Sequence, residues 1–293
     1  MRFFIIYEKF IPDNEIAKRQ VTKLPYVDIN SQFDIVAAKA RQSELDSQIP
    51  KGLGINRSAL SWPLAWDNLI GQSPSKFYKT LSRDMPGEVD VFVDLAGTVG
   101  GEISVYINRN GRCVFEAENK ITTDITGKTL RFEEWLIKEI DSRRHGMGLN
   151  LLRNMIDMAQ AAGVDRIALR AGKEDGKFFW ARHGFYLKEE LHRNKLVANI
   201  EENLVRYSDT LPAGIYETVR SMLAENALDL SWRIARLPGT LNGKPLGWQL
   251  LEGDNNPEYI MNLKDEQQMA RVRASLERPA VATLVPLAVP QPV

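Results

Sequence analysis

The chain has 293 residues, 44% hydrophobic and 26% charged, a globular composition with room for one large domain or two small ones. Its 38 Lys and Arg balance 38 Asp and Glu, so neither a bulk basic field for nucleic acid nor an acidic tail for a basic partner is present. Cys113, the only cysteine, excludes an intrachain disulfide and fits a reducing, cytoplasmic compartment; it reads as a small core residue without zinc-ligand spacing to His145, His183 or His192, so no metal is expected.

In chain order, residues 2–10 read as a first strand, since the apolar run is too short for a membrane span and no cleavage site follows it. Residues 32–48 read as a helix, ended by the Pro50 to Gly54 segment, whose Gly52 and Gly54 read as loop. Trp62, Pro63 and Trp66 mark an irregular or short helical packing element, and residues 74–83 a short helix started by Ser73 or Ser75. Val89 to Asp94 alternates as a strand, Glu102 to Asn108 is a second, and the Asn110-Gly111 turn returns the chain through Arg112 to Ala117. Residues 129–140 lead into a loop that reads Arg143, Arg144, His145, Gly146, Met147, Gly148. Leu149, Leu152, Ile156 and Ala159 then recur at helical spacing until Gly163. Ile167 to Leu169 form a short strand, and Lys177 to His183 a short helix before Gly184-Phe185. Beyond Leu191 the pattern blurs. A helix is predicted within 211–227, Gly247 to Leu251 reads as a short strand, and residues 263–276 as a polar helix. From Pro279 to Val293 there are four prolines and no charge: a disordered tail, or an extended segment that docks on a protein partner or on its own body.

The arginine-glycine loop is the most telling segment. Glycines let backbone N–H groups approach a ligand, the following helix adds its positive dipole end, and the arginines add charge, which together suit a pyrophosphate. The bland alternative is an ordinary helix start with two solvated arginines. The order strand, R-x-x-G-x-G, helix, strand, short helix, Gly-Phe over residues 129–187 resembles the core of the GCN5-related N-acetyltransferase superfamily. The resemblance implies an α+β fold with a mixed, mostly antiparallel sheet flanked by helices. It divides the chain into an N-terminal extension (1–88), an acyl-CoA-binding core (89–195), a mostly helical C-terminal extension (196–278) and the proline-rich tail (279–293).

It also implies acetyl-CoA as co-substrate. The pyrophosphate would sit on Arg143, Arg144, His145, Gly146, Met147 and Gly148, and the pantetheine arm on the backbone of Ile137 to Ile140. A general base in this family is often a glutamate on or beside that strand. Glu133, Glu134 and Glu139 are the candidates. Alternation puts Glu133 and Glu139 on one face and Glu134 on the other, and a bulge where the strands splay favours Glu134. Each of the three also reads as a solvated strand-edge carboxylate. Two departures stand out. Trp180 replaces the tyrosine that commonly protonates the leaving thiolate and would serve instead as core and pantetheine-side packing, so either the thiolate leaves without that acid, or Tyr186 or water substitutes, or the domain no longer catalyses; Lys173 replaces a frequent asparagine, where it would meet a CoA phosphate or solvent. The readings are therefore an N-acetyltransferase acting on an amine, small molecule or protein, or a catalytically weak or inactive module with a structural or binding role in a larger assembly. A phosphate-binding protein of another kind is disfavoured, because Gly148 is followed by Leu149-Asn150 and not by a Walker lysine-serine pair.

Overall fold

A computed structural model describes residues 35–57, 61–95, 97, 99–138, 146–172, 176–225, 227–253 and 257–277. The expected strand over 2–10 and the proline-rich tail lie outside them. The described chain starts with α1 (Ile35–Asp46), followed by β1 (Leu53–Ile55) and α2 (Trp62–Leu69). Ser73 then opens α3 (Pro74–Ser82): its side chain accepts the Lys76 N–H at 3.3 Å while Pro74 occupies the first turn. Gly52 and Gly54, expected in a loop, instead flank and form β1. Gly52 has φ of +92°, and a Cβ there would fall 2.5 Å from the Tyr78 hydroxyl. These glycines allow close contact with a neighbouring strand, a use that apolar periodicity does not reveal.

Four strands follow as an antiparallel meander: β2 (Glu88–Asp94), β3 (Gly100–Arg109), β4 (Arg112–Asp124) and β5 (Gly127–Ile137). The turn between β3 and β4 places Asn110 at φ 53° and Gly111 at φ 72°, the left-handed pair that an Asn-Gly hairpin requires. Strict alternation sorts the faces. Val89, Val91, Val93, Ile103, Val105, Ile107, Ala117 and Ile121 are buried, whereas Glu88, Phe92, Asp94, Glu102, Glu118 and Lys120 are exposed.

The chain then crosses through α4 (Met147–Ala161) to β6 (Arg166–Arg170), which runs parallel to β5. Gly163 ends α4 at φ 67°; its N–H and that of Val164 return to the carbonyls of Gln160 and Ala159. Next come α5 (Gly176–Arg182), β7 (Tyr186–Leu187), α6 (Glu190–Arg206), α7 (Ile215–Glu225) and α8 (Leu230–Ala235). A small hairpin of β8 (Thr240–Leu241) and β9 (Lys244–Pro245) leads to α9 (Leu246–Leu251). Last are β10 (Glu258–Asn262) and α10 (Glu266–Leu276).

Among the described residues the main sheet has eight strands in the order β1-β2-β3-β4-β5-β6-β10-β7. Only the β1–β2 and β5–β6 pairs are parallel, so the fold is α+β with a mixed, mostly antiparallel sheet flanked by helices. Two expectations change. Gly247 to Leu251 is helical, not a strand: a Cβ on Gly247 would lie 2.3 Å from the Ile234 carbonyl, so the bare glycine lets α9 cross α8 closely. The proposed boundaries at 88/89 and 195/196 are also crossed by the sheet. β1 pairs with β2 from one side, and β10, from the presumed C-terminal extension, sits between β6 and β7.

Candidate functional site

The β5–β6 ladder runs through Thr129↔Arg166, Leu130↔Ile167, Arg131↔Ala168 and Phe132↔Leu169, and among the described residues it stops there. On its other side β5 stays paired with β4 as far as Ile137↔Phe115. The register shifts between Phe132↔Asn119 and Glu134↔Glu118, which makes Glu133 the extra residue of a β-bulge. Beyond that bulge β5 carries four more residues, Glu134 to Ile137; successive residues turn their backbone groups to alternate sides, so half of them present N–H and C=O groups away from β4, with no β6 partner among the described residues. Such groups are strong donors and acceptors that an extended ligand can satisfy.

The bulge also resets which side chains share a face. Phe132 and Trp135 come together with ring centroids 4.6 Å apart, on the side of buried Ala117 and Asn119. Glu134 faces the opposite way, beside its cross-strand partner Glu118 and near Glu116, which is ion-paired with Lys138. Partial burial, then Glu118, then Glu116 push the Glu134 carboxyl above the usual glutamate range, with Lys138 opposing them. Glu133 is exposed and lies near Arg131 at 3.9 Å.

Gly146 precedes α4 at φ 67°, and its carbonyl accepts the Asn150 N–H at 2.9 Å. Gly146 has no side chain to offer and no other described residue caps this end, so among the described residues the first-turn N–H groups stay available to an anion. A Cβ built on Gly146 or Gly148 meets no atom of the described residues within 4 Å. Two amides on α4 fix its orientation. Asn150 donates to the Asp84 carbonyl at 2.8 Å, and Asn154, almost fully buried, donates to the Leu81 and Arg83 carbonyls at 3.1 and 2.7 Å. These bonds close the C-terminal end of α3 and tie it to α4. Met147 is buried and anchors the turn from inside.

Trp180 on α5 is buried against Trp135, Phe132, Phe185 and Phe179, at centroid distances of 5.5, 5.8, 5.2 and 4.8 Å. The helix ends in a Schellman turn: Phe185 N–H reaches the Trp180 carbonyl, Gly184 N–H reaches Ala181, and Gly184 takes φ 86°. Ring contact between Phe185 and Trp180 seals the turn. Gly-Phe after an aromatic helix is thus a local stop signal and a packing device together. His183, next to it, is held neutral: burial, then Arg182 and Arg236, bring its pKa down to about 4.

The structure brings Glu133, Glu134 and Ile137 together on β5, with Gly146, Met147 and Gly148 opening the next element and Trp180 behind the strand. Tyr186 does not join them. It lies on β7, with β6 and β10 between it and β5, about 14 Å away at ordinary strand spacing. Its hydroxyl is bonded to Arg271, which is ion-paired with Asp229 at 2.9 Å. Glu139, Ile140, Arg143, Arg144, His145 and Lys173 lie outside the described residues. Cys113, expected in the core, is half-buried, with its Sγ donating to the Phe115 carbonyl at 3.4 Å.

Sequence reasoning missed Asn119. It is buried on β4, donates to the Ile103 carbonyl at 3.0 Å and accepts the Trp135 indole N–H at 2.9 Å. The available signal was an amide on the inward register of Phe115, Ala117 and Ile121, a position that requires a polar partner. Among the described residues there is no cluster of three or more His, Cys, Asp or Glu suited to a metal, and no helix long and apolar enough to cross a membrane. Neither a family model nor a curated protein matches the chain.

Proposed function

We propose that this protein is an acyl-CoA-dependent N-acyltransferase of the GCN5-related type, transferring an acetyl group from acetyl-CoA to an amine. One observation supports the reading: the β5–β6 ladder ends at a β-bulge in β5, where β6 itself runs out, and β5 leads, along the chain, to a helix opened by two glycines with no side-chain cap among the described residues. A parted strand offers peptide groups to the two amides of a pantetheine arm. The glycine-opened helix offers N–H groups and dipole to a pyrophosphate. Arg143, Arg144 and His145 precede it in sequence and would add charge.

Acetyl transfer also needs a deprotonated amine and a stabilised carbonyl oxygen. Glu134 suits the first task. Its raised pKa makes it a better proton acceptor than an ordinary glutamate, and it lies one residue past the extra residue of the bulge. Backbone N–H groups of the unpaired stretch suit the second. The thiolate leaves without Tyr186, whose hydroxyl is engaged by Arg271 three strands away; a CoA thiolate is a tolerable leaving group near neutral pH.

Isothermal titration with acetyl-CoA tests the binding half. Gly148→Asp is the discriminating variant, because a Cβ there meets no atom of the described residues and φ is not left-handed, so the fold tolerates the change while like charge enters the anion seat. Acetyl-CoA should bind the native chain and not the variant. Unchanged affinity in a folded Gly148→Asp protein removes the site. The distance of Tyr186 from β5 favours a second reading, a CoA-binding module without turnover. Thiol release from acetyl-CoA across an amine panel separates the two.

A further inference from the structure

Where the β5–β6 ladder stops, rings replace it. Phe132 and Trp135 bracket the two glutamates of the bulge in sequence and point together to the face opposite Glu134. Trp180 spans from α5 to both, at 5.8 and 5.5 Å, and is backed by Phe185 at 5.2 Å. Phe132, Trp180 and Phe185 are buried, whereas Trp135 is partly exposed. The group is thus a packed aromatic floor beside β5 where the β5–β6 ladder ends, with Trp135 as its one partly exposed member. That ring is not free to swing: Asn119, itself held by the Ile103 carbonyl, accepts its indole N–H.

We infer that this floor sets the length of the acyl group the protein takes, and that Trp135, held by Asn119 and backed by Trp180, closes the site behind a two-carbon acyl chain. The inference rests on the proposed acyl-CoA site and specifies its donor. A thioester held by β5 beyond the bulge has its carbonyl at the backbone between Glu134 and Trp135 and its acyl carbons turned to the Trp135 face, against the edge of that ring. Close-packed rings have no space for further methylenes, so a longer chain must displace an indole and break its bond to Asn119.

Titration of the native chain with CoA, acetyl-CoA, butanoyl-CoA and hexanoyl-CoA provides the test. CoA and acetyl-CoA should bind with similar affinity. Hexanoyl-CoA should bind at least about tenfold more weakly, the low end of what a closed apolar site imposes on an overlong chain. Trp135→Ala and Trp180→Leu should each bring hexanoyl-CoA to within a few-fold of acetyl-CoA while leaving CoA itself unchanged. If CoA binds and the native chain takes hexanoyl-CoA as tightly as acetyl-CoA, the length limit is wrong and the CoA site stands. Absence of binding by every CoA species overturns the site and the limit together. Should either variant fail to fold, the series on the native chain alone decides.

Discussion

Glu134 shows how a single residue acquires its chemistry from register. One inserted residue, Glu133, turns Glu134 away from the aromatic face and sets it opposite Glu118. Two carboxylates at one cross-strand position repel, so the pair is retained at a cost in stability. Between the ordinary glutamate value of 4.5 and the raised value in the fold, the folded chain keeps a proton that the unfolded chain has lost. Stability therefore falls as pH rises through that window, and the penalty persists at neutral pH. Glu134→Gln removes it: the thermal midpoint at neutral pH should rise, while thiol release from acetyl-CoA falls by about a hundredfold or more, the low end for losing a general base. A drop in both would make Glu134 a structural residue, and a loss of turnover only in Glu133→Gln would move the base to the bulge itself. His183 gives the opposite sign. It is neutral in the fold with a pKa of about 4, and the unfolded chain takes up its proton near 6.5. Stability should be full above that value and decline as pH falls through the interval. Urea midpoints across the interval should slope less in His183→Gln than in the native chain.

At the scale of elements, the packing is held by polar side chains that terminate helices from a distance. Lys128 of β5 sends its ammonium to the carbonyls of Asn68 and Leu69 in the last turn of α2 and of Ala162 at the C-cap of α4, at 2.7, 3.4 and 2.7 Å. One cation thus closes two C-terminal dipoles and ties both helices to the sheet. Lys128→Met should lower stability by about 1.5–3 kcal/mol, the range for hydrogen bonds to a charged group, measured by urea denaturation. Buried Gln268 works in the same manner at the other end. Its amide donates to the Gly184 and Ile260 carbonyls at 2.8 and 3.1 Å and accepts the Asn262 N–H at 2.8 Å. Gly184 is pressed from the same side, since an added Cβ would lie 2.7 Å from Val272 Cγ2 at a φ that L residues avoid. Gly184→Ala should therefore cost about 1–3 kcal/mol, the range for a strained backbone position. A neutral result in thermal melts would show that α10 can shift to make room.

At the scale of the whole molecule, the chain closes on itself through β10. That strand forms ladders with β6 and β7 on its two sides, and Gln268 and Gly184 lock α10 beside them. A chain ending at residue 195, where the sequence divides most naturally, lacks this strand and exposes the edges of β6 and β7. It should be insoluble or unfolded by circular dichroism, and a cooperative melt would show that β10 is dispensable. The meander, α3 with its Ser73 cap, α4 with its Gly163 stop, and the short helix before Gly184 were all legible from local rules. Alternation, capping and glycine turns act over a few residues and leave a trace there. β1, β7, α6, α9 and β10 were not legible, because short strands owe their existence to a partner far along the chain and α9 to a glycine fitted against α8. The candidate site divides the same way. By itself the sequence determined the glycine-opened helix, the strand before it, the three glutamates and the absence of the usual tyrosine, since these are matters of residue type and spacing. Only the tertiary structure decided that Glu133 is the bulge, that Glu134 therefore meets Glu118, that Tyr186 lies three strands away, and that Asn119 holds Trp135. Register and strand order depend on which distant segments pair, and no local pattern encodes that choice.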